Sequence, residues 1–432
     1  MNKLTEVSLK NGYRATYNHY CKLIYSLSLI LLIYFLTSSA QAKYSGGKGE
    51  PNNPYQIADA NDLNEIGLHD EDWDSHFIMV NDINLAGYTG TQFNIIGHWI
   101  WWNDPSNKPF SGVFDGNGFA ISNFTYESDD IDRFGLLACV YGPNTIVKDL
   151  TLIDPNVRAD YIVGSLVGFL IEGTICNCGV RDGQVSGGWY TGGLVGNNWD
   201  GTISNCYATT YVLGNDGTGG LVGGNDYGGV ISNCYATGNV SGNSWYTGGL
   251  VGWNINGTIS NCYAIGSVSG DWGTGGLAGY NDECWGVISD CYATGSVLGT
   301  GEQTGGLVGD NFGTISNCYA TGAIEGGDAT GGFVGVNDNT ILASFWDKDT
   351  SGQSDGVGGG WPGGVTGKTT AEMQTRSTFT DAGWDLVGTW NIEELQTYPL
   401  LRKYLAVDLN YDHQIDFIDF AIFADHWLAG VE

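Results

Sequence analysis

The chain has 432 residues, of which 69 are Gly and only 8 Pro, with 42% hydrophobic and 13% aromatic residues. It is too apolar for a disordered chain and too poor in Pro for collagen or a proline-rich linker. Sixteen Lys and Arg stand against 47 Asp and Glu, and this net charge of −31 excludes nucleic acid and an anionic membrane surface as natural partners.

Residues 1–42 read as an export signal. Lys3, Lys10, Arg14 and Lys22 form a basic region, Leu23–Leu36 is a 14-residue apolar run, and Ala40 and Ala42 mark a cleavage point. The run is short for a spanning helix of ~20 residues, and no later stretch is longer, so the cleaved chain is expected to have no transmembrane span. Residues 43–160 read as an N-terminal cap followed by irregular coils. Asp59 offers an N-cap, Leu63 and Ile66 an apolar face and Gly67 a stop for one short helix. FSGVFDGNGFAISNFTY (110–126) and VKDLTLIDPNV read as coils after it.

From residue 161 to 346 the sequence repeats. GGLVG or a close variant starts at Gly164, Gly192, Gly219, Gly248, Gly275, Gly305 and Gly331, in steps of 26–30 residues. TISNCYA or a variant follows in six of the seven units, with cysteines at 178, 206, 234, 262, 291 and 318. A fixed period with short β-branched runs, Gly and Asn breaks and no helical periodicity predicts a solenoid of stacked coils. Each coil is expected to hold two or three short strands, paired in parallel at ~4.8 Å with the coils above and below. Right-handed crossover preference then gives an all-β, right-handed parallel β-helix. In TISNCYA, Ile203, Cys206 and Ala208 point inward and Tyr207 outward. Asn205 turns the bend, where Asn tolerates a left-handed backbone. Asn177, Asn205, Asn233, Asn261, Asp290 and Asn317 are expected to form a ladder there. Residues 347–403, with GKTTAEMQTRSTFTDAGWDLVGTW, read as the C-terminal cap that closes the far end.

GGLVGxN…GTISNCYATGSVSG resembles the GLUG repeat of bacterial exported and surface proteins, found beside large adhesins and in zinc peptidases that cleave immunoglobulin A. The resemblance implies a β-helix in an exported, secreted or cell-surface protein. No HExxH accompanies it here.

The last segment, 404–432, carries DLNYDHQIDFID and then FIDFAIFADHWL. Asp408, Asn410, Asp412, Gln414, Asp416 and Asp419 fall at positions 1, 3, 5, 7, 9 and 12 of an EF-hand-type loop, so Ca²⁺ is the expected cofactor. This resembles half a dockerin, which implies a cohesin-like or envelope partner. His413 stands where a Gly is usual and the second loop is missing, so the site is expected to be weak. An acidic amphipathic tail is the plainer reading.

The chemistry of the repeats is narrow. From Asp182 to Asp347 there is no Lys, Arg or His, so a lyase, which needs a base and cations around a uronate, is disfavoured. The acids Asp200, Asp216, Asp226, Asp271, Asp282, Glu283, Glu302, Asp310 and Asp328 are read as solvated loop residues with no shared offset. Only residues 70–160, with His76, His98, Lys108, Asp115 and Arg133, leave room for a hidden site, and none is expected there. Trp189, Trp199, Trp245, Trp253, Trp272 and Trp285 are read as loop residues beside the GG steps. They either stack against sugars or staple neighbouring coils. The six periodic cysteines read as an inward stack, while Cys139, Cys176 and Cys284 lie off it and are more open to oxidation. The expected function is therefore a non-catalytic scaffold for adhesion or for binding an extracellular polysaccharide or surface glycan. The alternative is a polysaccharide-active β-helix of glycoside hydrolase type, recruited to a degradative complex by its tail.

Overall fold

The structure, a computed structural model, describes residues 43–402 except 101, 129–131 and 283–284. The export signal, the calcium loop with Asp408 to Asp419, and Cys284 lie outside the described residues. The chain divides into two units at Gly46–Gly47, and the elements below all belong to the second.

Among the described residues, five parallel sheets of 11, 11, 9, 8 and 7 strands run along one stack, each repeat adding a strand to every sheet. The fold is the expected right-handed parallel β-helix. Each coil has five short strands rather than two or three, because Gly and Asn break every run after two to five residues. The unit from Trp189 shows them as Trp189–Gly192, Val195–Trp199, Thr202–Ser204, Tyr207–Ala208 and Tyr211–Gly214. The helix Ala60–Ile66 forms as predicted. Asp59 accepts from the Asn61 and Asp62 amides, and Leu63 and Ile66 are buried.

Register makes every inward side chain a ladder. Leu194, Leu221, Leu250, Leu277 and Leu307 are all fully buried, and each amide donates to the carbonyl one coil on at 2.7–3.0 Å. The glycine before each of them is required, since a Cβ there would collide with the next coil's glycine carbonyl. Cys206, Cys234, Cys262, Cys291 and Cys318 are buried free thiols, and the Cys206 and Cys234 amides each donate to the next coil's Sγ at 3.3 Å. Cys139 corrects the expectation of an open thiol: it is fully buried in a cluster with Ile162, Phe169 and Ile171.

Two Asn ladders hold the bends. The expected outer one forms at φ 52–57°, with Asn205 Nδ2 donating back to Asn177 Oδ1 at 3.1 Å. The second lies inside, at the Asn of GGLVGxN. Asn198, Asn225, Asn254, Asn281, Asn311 and Asn337 are buried; the first five each donate Nδ2 to the next Oδ1 at 2.7–2.8 Å, and Asn337 Nδ2 donates to the Asn339 and Trp361 carbonyls. Five aligned amides satisfied in sequence avoid the ~1–3 kcal/mol that each unpaired buried group would cost.

Residues 367–401 do not simply close the far end. Val357–Gly360 and Val365–Lys368 pair with the last coil. The chain then turns along the flank, over the outward tyrosines of three coils. Met373, Phe379, Trp384, Trp390 and Leu401 form one buried cluster with Tyr263, Tyr292, Tyr319 and Phe345.

Candidate functional site

Three residues before each GG step, one outward row runs along the seven-stranded sheet. Strand register aligns Tyr161, Trp189 and Asp216, and likewise Trp245 and Trp272. Asp216 joins the two halves, its Oδ1 accepting the Trp245 amide at 3.0 Å. Tyr161 and Trp189 stack at 5.7 Å and 10°, and Trp245 and Trp272 at 5.9 Å and 14°. The four rings remain 37–51% exposed. Glu302 and Asp328 hold the same offset in the next two coils and are exposed. The row thus reads aromatic, aromatic, acid, aromatic, aromatic, acid, acid, and these three acids do share an offset, contrary to the sequence reading. Asp216, Trp189, Trp245 and Trp272 begin strands, which fixes their spacing to the coil, whereas Glu302 and Asp328 lie in bends two residues before Thr304–Gly305 and Thr330–Gly331, in loops as expected.

The next position in each coil has a left-handed backbone: Tyr190, Gly217, Tyr246 and Gly273 have φ of 48°, 63°, 59° and 64°. Tyr and Gly alternate there, so each tyrosine can lean over the following coil. A Cβ on Gly217 would stand 3.1 Å from Tyr190 Cδ1. Tyr190 and Tyr246 grip the half-buried Trp253 edge-on at 5.3 and 5.4 Å. Trp199 stacks on Tyr227 at 3.6 Å and 19°, and meets Phe169 edge-on. Trp253 and Trp199 therefore staple coils, whereas Trp189, Trp245 and Trp272 present free edges. Trp285, 74% exposed, stands off this row.

Behind the row lie two carboxyls, Asp226 and Asp310, each 3% exposed. Asn197 Nδ2 donates to Asp226 Oδ2 at 2.9 Å, and Oδ1 of each acid has no hydrogen-bond partner. Burial pushes both up to about 7, with Asp282 and Asp338 adding like charge beside Asp226 and Asp310 respectively. Asp226, Asp282 and Asp338 also share an offset, seven residues after the first Gly of each step. Asp226 and Asp310 are three coils apart, at least ~14 Å along the axis. A glycosidase pair needs ~5–9.5 Å, so these two carboxyls cannot act on one bond.

Of the residues singled out in 70–160, only His98 and Lys108 are paired with each other, by an antiparallel backbone bridge of 2.8 and 3.0 Å, while the His76 amide donates to the Gly49 carbonyl at the start of a strand. Asp115 is paired with Lys148 at 2.7 Å. Arg133 donates to the Trp99 carbonyl and lies over Phe169. His98 meets the edge of Trp73, while Lys108 lines a cleft of about 450 Å³ with Asp70, Glu71, Asp74 and Tyr141. Among the described residues no group of three or more His, Cys, Asp or Glu is arranged to hold a metal.

The GLUG motif matches residues 187–210, 214–241, 243–269, 270–298 and 300–325. A "putative Gly-rich membrane protein" of Evansella cellulosilytica is 36% identical over 121 residues, 26% of this chain and 13% of that protein. Halomucin of Haloquadratum walsbyi is 37% identical over 146 residues, 33% of this chain and 2% of that protein. The chain thus spans only a small part of the length of these relatives. A crystal structure from Bacteroides ovatus, titled a "putative immunoglobulin A1 protease", aligns over 84% of this chain and 96% of its own, at 19% identity and a TM-score of 0.46. Residues 187–325 are GLUG repeats wound as a parallel β-helix.

Proposed function

We propose that the protein is an exported, non-catalytic β-solenoid that binds an extracellular polysaccharide or surface glycan, and so serves as an adhesion or binding scaffold. One observation carries this reading: a row of exposed indole rings, fixed at coil spacing on a rigid face, with carboxylates interleaved. Indole faces and edges give sugar rings apolar contact, and carboxylates accept hydroxyl hydrogen bonds. The names of the two relatives, a Gly-rich membrane protein and halomucin, agree with a surface location. The 3-coil separation of Asp226 and Asp310 speaks against a hydrolase built on them. A glycan array run beside a reducing-sugar assay tests the proposal. Binding without release of reducing ends is expected; release of reducing ends would favour the enzyme reading.

The tail from residue 404 is read as the attachment or sorting device, with Asp408, Asn410, Asp412, Gln414, Asp416 and Asp419 as Ca²⁺ ligands of affinity near ~10⁻⁴–10⁻³ M. Calcium titration of the chain and of its Asp408→Ala, Asp412→Ala variant checks this. Equal binding by the two would remove the calcium loop from the proposal.

A further inference from the structure

We infer that the glycan taken by this row carries positively charged amino groups, and that its best-defined seat is the slot at Asp216 between Trp189 and Trp245. The inference rests on the glycan-binding reading above and names the class of glycan. Because Tyr161 with Trp189, and Trp245 with Trp272, are near-parallel pairs following one another from coil to coil, their faces point along the solenoid axis. The outer faces of Trp189 and Trp245 therefore look at each other across the coil that carries Asp216. Two coil steps separate them by ~9.6 Å, room for one saturated ring in contact at ~4 Å with each face. Trp253, 6.4 Å from Trp189 and tilted 56° to it, lies against Gly217 and bounds the slot. Asp216 Oδ1 accepts the Trp245 amide, so its carboxylate is fixed in the row after Trp189 and before Trp245. Cations are attracted both to aromatic faces and to the carboxylate.

The rest of the face agrees in sign. Glu302 and Asp328 continue the row, and nothing between Asp182 and Asp347 is basic. A uronate-rich or sulfated chain would meet unbalanced repulsion along the whole row, whereas an amino sugar would meet a carboxylate beside every aromatic pair.

The test compares two glycans of one length and linkage: a fully deacetylated glucosamine hexamer and its N-acetylated counterpart, each titrated where the amine is protonated. The native chain is expected to bind the amino form at least about tenfold more tightly, with the difference shrinking in salt. Asp216→Asn, which can still accept the Trp245 amide, should lose most of that preference, its affinity falling more for the amino form than for the acetylated form. Equal affinity of the native chain for both hexamers would overturn the inference and leave the glycan-binding reading standing. An undiminished preference in Asp216→Asn would overturn the assignment of the seat. Failure of the native chain to bind either hexamer or any glycan on the array would overturn both.

Discussion

Two aromatic rows run along the repeat coils of this solenoid, and they serve different purposes. On one flank Tyr207, Tyr235, Tyr263, Tyr292 and Tyr319 stack without interruption at 4.9–5.3 Å and within 10° of parallel. The C-terminal segment lies over its last three members, which are at most 1% exposed. Tyr319 donates to the Pro399 carbonyl at 2.8 Å, and Trp390 Nε1 to Asp290 Oδ1 at 3.1 Å. On the other face the row is broken by Asp216, Glu302 and Asp328, and its rings stay 37–51% exposed. A uniform ladder offers a surface that one apolar segment can cover. An interrupted ladder offers slots and charges, which a covering segment would have to bury at a cost. The interruptions, more than the aromatics themselves, mark the binding face.

The comparison can be broken at several levels. Both rows depend on the shared core, so Leu250→Asp, which places an unpaired charge between two coils, should cost several kcal/mol. Equal thermal stability of variant and parent would refute the in-register stack beneath both rows. On the covered flank, Trp390→Ala removes a fully buried indole and the donor to Asp290. A loss of about 3–5 kcal/mol is expected by thermal or denaturant unfolding. A variant as stable as the parent would mean that the C-terminal segment does not hold the tyrosines.

The two buried carboxyls behind the open row give a prediction of opposite sign. Asp226 and Asp310 keep their protons in the folded chain up to about 7, against 3.8 ordinarily. Over that window the folded state binds more protons than the unfolded one, so their contribution to stability falls as pH rises and the penalty is complete above about 7. Asp226→Asn should therefore stabilise the protein above neutral pH, by roughly 1–3 kcal/mol, and should change little near pH 3.8. Destabilisation by Asp226→Asn above neutral pH would contradict this and show that the ionised carboxylate is structurally required. The smallest effect belongs to the exposed row, where Trp245→Ala should cost under about 1 kcal/mol.

Much of the fold was legible because the repeat forces each side chain to recur at one offset. The period, the leucine and cysteine ladders, the outer Asn bend and the helix capped by Asp59 all follow from local patterning. Four features were less legible. The buried Asn198–Asn337 ladder stood in plain sight in GGLVGxN, but an Asn reads as a surface residue until its amide is seen to pair with its copies. Asp290, the one acid in the outer Asn ladder, makes sense only once Trp390, 100 residues later, donates to it. The acid row is masked because it mixes acids with aromatics at one offset; counted from the GG step, Asp216, Glu302 and Asp328 align with the tryptophans. Which aromatic row is covered depends on where the last described segment folds, and no local pattern encodes that contact.

The most direct test of the account replaces Trp189, Trp245 and Trp272 together by Ala and follows glycan binding and melting temperature in the same preparation. Loss of binding with a melting temperature close to the parent's is the predicted result, since these rings stack at the surface and remain 37–51% exposed. Retained binding, or a fall in melting temperature as large as that of Trp390→Ala, would contradict it and make the open row a second packing ladder.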